Sequence, residues 1–121
     1  MEYLKVYMDH WEVLRRLAIG DTSSIEHTLY GDAHDGVRGL DPRTAAFARL
    51  GALVAMGTTP CGYQGQVDAA FAAGATTEEI IHALIALAPM VGLARVMSAA
   101  PALGLAAGYD IEAALDRLEK Q

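Results

Sequence analysis

From Ala83 to Tyr109 the sequence "ALIALAPMVGLARVMSAAPALGLAAGY" carries one charged residue, Arg95. So long an apolar tract either crosses a membrane or is buried against protein, and the spacing of its interruptions chooses between the two. Between His82 and Arg95 lie 12 uncharged residues, and between Arg95 and Asp110 lie 14, against the roughly 20 that a spanning helix needs. Pro89, Gly92 and Pro101 interrupt the runs further. No membrane segment is expected. The N-terminal "MEYLKVYMDHWEVLRR" places acidic residues where a signal peptide would be basic, so the expected location is cytoplasmic.

The tract must then be covered by protein. Apolar residues with tyrosine make up 53% of the 121 residues, and 12 glycines come besides; the apolar residues and glycine together account for roughly 45–50% of an average soluble domain. A chain of this length forms one domain, residues 1–121, and is marginal for burying so much surface alone. Identical chains sharing apolar faces would absorb the excess. Nine basic against fifteen acidic residues give a net charge of −6, which repels nucleic acid. Small molecules and protein partners remain. A single cysteine, Cys61, excludes an internal disulfide.

The local signals are helical throughout. Leu4, Tyr7, Trp11, Leu14 and Ala18 recur at three- and four-residue steps, one face of an amphipathic helix that Gly20 ends. Asp21 or Ser23 is placed to cap a short helix through "SIEHTLY", and "GDAHDGVRG" reads as a loop. Asp41 followed by Pro42 opens the next helix, with Phe47, Leu50 and Val54 at helical spacing up to Gly57. After "TTP" a helix runs through "CGYQGQVDAAFAA" to Gly74. Thr76 and Glu79 form a capping box before "EEIIHALIALAP", apolar nearly all round and therefore expected at the centre. Pro89, Gly92 and Pro101 are expected to break or kink the path, and Asp110 to cap "IEAALDRLEK". Strand alternation is absent. The expected fold is all-α, a bundle of about six or seven helices.

Two stretches, "LDPRTAAFARLGALVAMG" and "VDAAFAAGATTEEIIHALIALAPMVGLARVMSA", together resemble the carboxymuconolactone decarboxylase and alkyl hydroperoxidase D-like family. The resemblance lies in the order of an "LDP" helix start, a helix ending in "AGAT", an "EEI" helix and an "AP…G…R" turn, over about residues 40–100, with 1–39 as an N-terminal helical extension. It implies an all-helical, alkyl hydroperoxidase D-like fold working without a metal and assembling as a homo-oligomer, dimer to hexamer. Peroxidase-type members of that family carry C-x-x-C, a following histidine and a glutamate on the preceding helix. Here Cys61 pairs with Thr58, or in the alternative register Gly62 with Thr59, while the histidine position reads Gln66 and the glutamate position Ala46. A disulfide cycle within one chain cannot run. Decarboxylase-type members rely on a histidine near the same position, and the amide of Gln66 does not titrate near neutral pH.

The residues left for chemistry are few. Cys61 would be the second residue of a helix opened by Thr59 and Pro60, where the dipole contributes about 0.3–1 kcal/mol to an anion. That is too little by itself to ionise a thiol at neutral pH, so Cys61 is expected to be a packing residue or at most a weakly activated thiol. Gln66 and Tyr63 are placed to bind a substrate oxygen, or simply to satisfy a helix surface. Gly62 and Gly65 each cost about 1 kcal/mol inside a helix, which suggests a close approach there. His82 with Glu78 and Glu79 resembles half of a carboxylate-bridged metal site, but no second E-x-x-H exists; Asp32, His34 and Asp35 share a loop without fixed spacing. Neither metal nor cofactor is expected. Arg95 would clamp a substrate carboxylate or pair across a subunit interface.

Three functions fit these residues. The first is a cofactor-free enzyme, decarboxylase- or lyase-like, or a binder, acting on a small cyclic, carboxylated or lactone-like molecule. Gln66, Cys61 and Tyr63 would be its catalytic candidates and Phe47, Arg95 and His82 its substrate-binding ones. The second is a thiol-peroxidase relic in which Cys61 reacts and a partner supplies the resolving thiol. The third is a non-catalytic oligomeric module. The apolar excess of the tract is expected to be shared between chains, so sedimentation at micromolar concentration should show species heavier than one chain; a single species at the monomer mass would remove the basis for that expectation.

Overall fold

The computed structural model of the chain describes residues 9–31, 37 and 39–120. Two compact units emerge, Met1–Asp32 and Ala33–Gln121. Seven helices and no strand are found among the described residues, in agreement with the all-α expectation.

In the first unit, α1 (His10–Ala18) starts at Asp9, whose carboxylate accepts from the Trp11 amide at 3.4 Å. The expected partners Leu4 and Tyr7 of its apolar face lie outside the described residues. Gly20, at φ 81°, ends the helix as expected. The second helix, α2 (Glu26–Leu29), is not capped by Asp21 or Ser23; Ile25 precedes it without a side-chain bond. Asp21 instead accepts from the Ser23 amide at 3.0 Å, a local turn that competes successfully with the helix start. Neither helix has a buried residue.

The second unit holds the core. Asp41 accepts from the amide of Thr44 at 2.7 Å and so opens α3 (Pro42–Met56), with Pro42 at the first position where its missing N–H costs nothing. Thr59 caps α4 (Pro60–Ala72) in the same way. Gly74, at φ 92°, closes it in a left-handed turn in which Ala75 N–H reaches back to Ala70 O at 2.9 Å. The Thr76–Glu79 capping box is complete at the start of α5 (Thr77–Val91): the Glu79 amide donates to Thr76 Oγ1 and the Thr76 amide to Glu79 Oε1. Gly92, at φ 92°, separates α5 from α6 (Leu93–Ala106) without a loop, and Asp110 caps α7 (Ile111–Glu119) through the Ala113 amide at 3.0 Å.

Of the expected break or kink, Pro89 and Pro101 give no break: both lie inside helices. A proline removes one backbone bond and crowds the preceding turn, and contacts from neighbouring helices hold α5 and α6 through that loss. Gly92 alone breaks the path, because its left-handed φ is one that side-chain-bearing residues avoid.

Helix α3 packs on α4 and α5, α4 on α6, and α6 on α5 and α7. Ala46, Leu50 and Val54 of α3, Tyr63, Val67 and Ala70 of α4, Ile80 of α5 and Leu103 of α6 form one buried cluster. Complete burial of a valine or isoleucine side chain contributes about 1.5–3 kcal/mol, and Val54, Val67 and Ile80 are the largest side chains so buried. The expectation that α5 is central does not hold in the single chain. Only Ile80 is buried on it, while Ile81, Ile85 and Met90 are exposed, Met90 by 84%. The unit has no further helix to lay over that side.

Thr76→Ala removes one half of the capping box and should cost about 0.5–2 kcal/mol, read as a lower urea midpoint at unchanged slope. A second outcome concerns pH. Arg15, hydrogen-bonded at 2.7 Å, and then Arg16 hold the Glu12 carboxyl down to about 2 from 4.5. A carboxyl depressed by folding stabilises the folded form above its unfolded value and stops doing so as pH falls through the folded one. The Glu12 resonance should therefore titrate near pH 2 by NMR, with α1 losing helicity between about pH 4.5 and 2; an ordinary midpoint would show that the ion pair does not form in solution.

Candidate functional site

Helix α4 carries three of the candidates, and its starting turn determines how they are presented. Thr59 and Pro60 direct the chain into the helix, so Cys61 occupies its second position, as the sequence implies. The thiol is exposed. Cys61 therefore does not pack in the core of the single chain: the core-facing stripe of α4 runs through Tyr63, Val67 and Ala70, and Cys61 stands off that stripe in the first turn. Gly62 has a packing reason, since a Cβ there would collide with the Thr58 side chain folded over the helix start. Gly65 faces open space instead.

Tyr63 and Gln66 lie three residues apart, on the side of α4 that also carries Val67 and Ala70. Tyr63 is buried, and burial raises its phenol pKa above the ordinary value. It stays protonated at neutral pH, a state in which the hydroxyl is no base. Gln66 is partly buried, yet its Oε1 is sealed from solvent and accepts no hydrogen bond from the protein. Buried side-chain oxygens almost always have a partner, and Gln66 Oε1 is the one such orphan among the described residues.

Phe47 is half-buried and packs against the core cluster of which Tyr63 is one member. One turn earlier on α3, Arg43 lies over the Phe47 ring, 5.9 Å from its centre, and forms an ion pair with Glu79 of α5. Arg43 was not singled out from the sequence; its four-residue spacing from Phe47 is the signal that would have found it. Glu79 serves both the capping box and this ion pair, which accounts for it without a metal. Ala46, at the family's glutamate position, is buried in the core.

The remaining candidates are dispersed. His82 on α5 and Arg95 on α6 are both exposed, and nothing in the single chain joins them to Gln66. Asp32, His34 and Asp35 lie outside the described residues. Among the described residues no three His, Cys, Asp or Glu side chains converge as a metal-binding group would. An open apolar groove of about 480 Å³ lies elsewhere, between α5, α6 and the start of α7, lined by Ile80, Ile81, Leu84, Leu103, Tyr109 and Ile111 among others. None of the six candidates named from the sequence lines it.

Among the described residues no helix is long and apolar enough to cross a membrane. No curated protein and no solved structure is significantly similar to the chain. The sequence model of the carboxymuconolactone decarboxylase family matches residues 24–104, a span that starts earlier than the residues carrying the resemblance and takes in "LDP", the α4 stripe, the capping box and Arg95. With more than half of its length matched and its helices in the expected order, the chain belongs to the carboxymuconolactone decarboxylase family.

Proposed function

We propose that the protein is a cofactor-free enzyme or binder for a small cyclic, carboxylated or lactone-like molecule, held beside α4 by Gln66 and Tyr63 with Phe47 as an apolar wall. The observation that carries this reading is the unpartnered Oε1 of Gln66. Leaving a buried acceptor without a donor costs about 1–3 kcal/mol, a cost that a ligand hydroxyl or protonated carboxyl would relieve. Turned over, the same amide presents two N–H donors to a carboxylate or lactone carbonyl. Tyr63, kept neutral by burial, adds a second donor.

Gln66 binds and orients but does not move a proton, so a decarboxylation in this site would rely on polarising the substrate rather than on a titrating base. Arg95 and His82 are at the surface and would meet a ligand only where another copy closes over them. Such closure agrees with the exposed Ile85, Met90, Leu93 and Met97 on α5 and α6, and the working unit in this reading is a homo-oligomer between dimer and hexamer.

One observation favours the thiol reading as a second choice. Cys61 is exposed at a helix start, open to a peroxide, and the resolving thiol would have to come from another molecule because the chain has no second cysteine.

Native mass spectrometry of freshly purified protein should reveal a retained small acid or lactone, and thermal shift against cyclic carboxylic acids should reproduce its binding. Gln66→Leu, similar in size but without the amide, should weaken that ligand by about 5- to 150-fold, the equivalent of about 1–3 kcal/mol. Cys61→Ser should leave binding and turnover within a few-fold. Unchanged affinity in Gln66→Leu would reject the proposed site, and peroxide turnover abolished by Cys61→Ser would establish the thiol reading in its place.

A further inference from the structure

A sealed acceptor that lacks a donor is relieved only by a group that brings one. Gln66 Oε1 is such an acceptor, whereas the nitrogen of the same amide is not sealed off without a partner. Turning the amide over would put two unsatisfied N–H bonds where one acceptor now lies, the costlier arrangement for the free protein. The oxygen therefore points to the sealed side, and whatever meets it must donate. A lactone ring and a carboxylate hold acceptors only. A lactam or a cyclic imide differs in the one atom that matters, because its N–H stands directly beside a carbonyl.

We propose that the molecule held at Gln66 presents an uncharged ring edge with an N–H next to its carbonyl, that of a lactam or cyclic imide, and donates this N–H to Gln66 Oε1. The inference rests on the ligand site proposed above and adds to it the hydrogen-bonding class and the charge of the edge that enters. A donor for the carbonyl lies one turn away on α4. Tyr63, 4% exposed, keeps its phenol proton, and its hydroxyl makes no hydrogen bond with a described residue.

Charge points the same way. A carboxylate brought against Gln66 would lose hydration, and only a cation or several donors would offset that loss. Helix α4 contains neither lysine nor arginine, and its single charged side chain, Asp68, repels an anion. Gln66 lies in the middle of the helix, beyond the first turn to which the dipole's attraction for anions is confined. Of the arginines on α3 and α6, the helices packed against α4, Arg43 is held by Glu79, Arg49 is likewise engaged, and Arg95 is exposed. A carboxylate carried elsewhere on the same ligand would lie away from Gln66.

Carbostyril and coumarin share one two-ring outline and differ in an N–H against a ring oxygen, so they serve as the probes. By isothermal titration calorimetry the native protein should bind carbostyril about 5- to 150-fold more tightly than coumarin, and Gln66→Leu should bring carbostyril down to the level of coumarin. Leucine leaves no acceptor unsatisfied, so the ligand-free variant should melt no lower than the native protein, which shows that the change in binding is not a loss of fold. Equal affinity for the two probes, or tighter coumarin, with binding still weakened by Gln66→Leu, would overturn this inference and leave the ligand site standing with its amide turned over. Affinities that do not respond to Gln66→Leu, or no binding of either probe, would remove the site and the inference together.

Discussion

Small side chains at the helix contacts of residues 33–121 set the terms for everything else in that unit. Ala45, Ala46, Ala69, Ala70, Ala75 and Ala99 are six of the twelve fully buried apolar residues among those described. Alanine lets helices approach closely but removes little surface from water, about 0.8 kcal/mol for each buried carbon. Stability then falls on a few larger residues, Leu50, Val54, Val67, Ile80, Leu103 and Tyr63. An interior so narrow has no place for Ile81, Ile85, Met90, Leu93 or Met97, and these remain outside. The apolar excess in the composition and the apolar outer face of α5 and α6 are two views of that one constraint.

The same narrowness explains why Gln66 matters. It lies beside Tyr63, Val67 and Ala70 on a helix whose neighbouring positions are apolar, and its oxygen is sealed off without a donor. A glutamine there weakens the core unless something outside the chain satisfies it. In place of a titrating group this chain has an amide at that point, which does not exchange protons near neutral pH. Tyr63, also without ready access to water, is held in its neutral form by the same surroundings. Neither group is therefore suited to acting as a base at neutral pH.

Some of this site could be read in advance and some could not. The place of Cys61 in the first turn of α4 followed from Thr59 and Pro60, since a cap and an N-terminal proline act within three residues. Its exposure did not follow, because the sequence does not say which side of the first turn meets a neighbour. Phe47 and Tyr63 lie on two helices that share one core, and periodicity within either one cannot register them against each other. Arg43 escaped notice for the same reason: its partner Glu79 is far along the chain and was already assigned to a cap. Pro89 and Pro101 do not break their helices, since a local cost was outweighed by packing that the sequence does not display.

By itself the sequence determined the all-helical class, the family, the starts of α3, α4, α5 and α7 and the stops at Gly20, Gly57 and Gly74. Caps, capping boxes and left-handed glycines are interactions among residues a few positions apart, so the order of letters contains them whole. Only the tertiary structure decided that α5 lies at an edge, that Cys61 is open to solvent, that Gln66 has a sealed and partnerless oxygen and that a groove opens beside α7. Burial is a property of surfaces contributed by segments distant in the chain, and which of two equally apolar helix faces is covered depends on the neighbour that reaches it first.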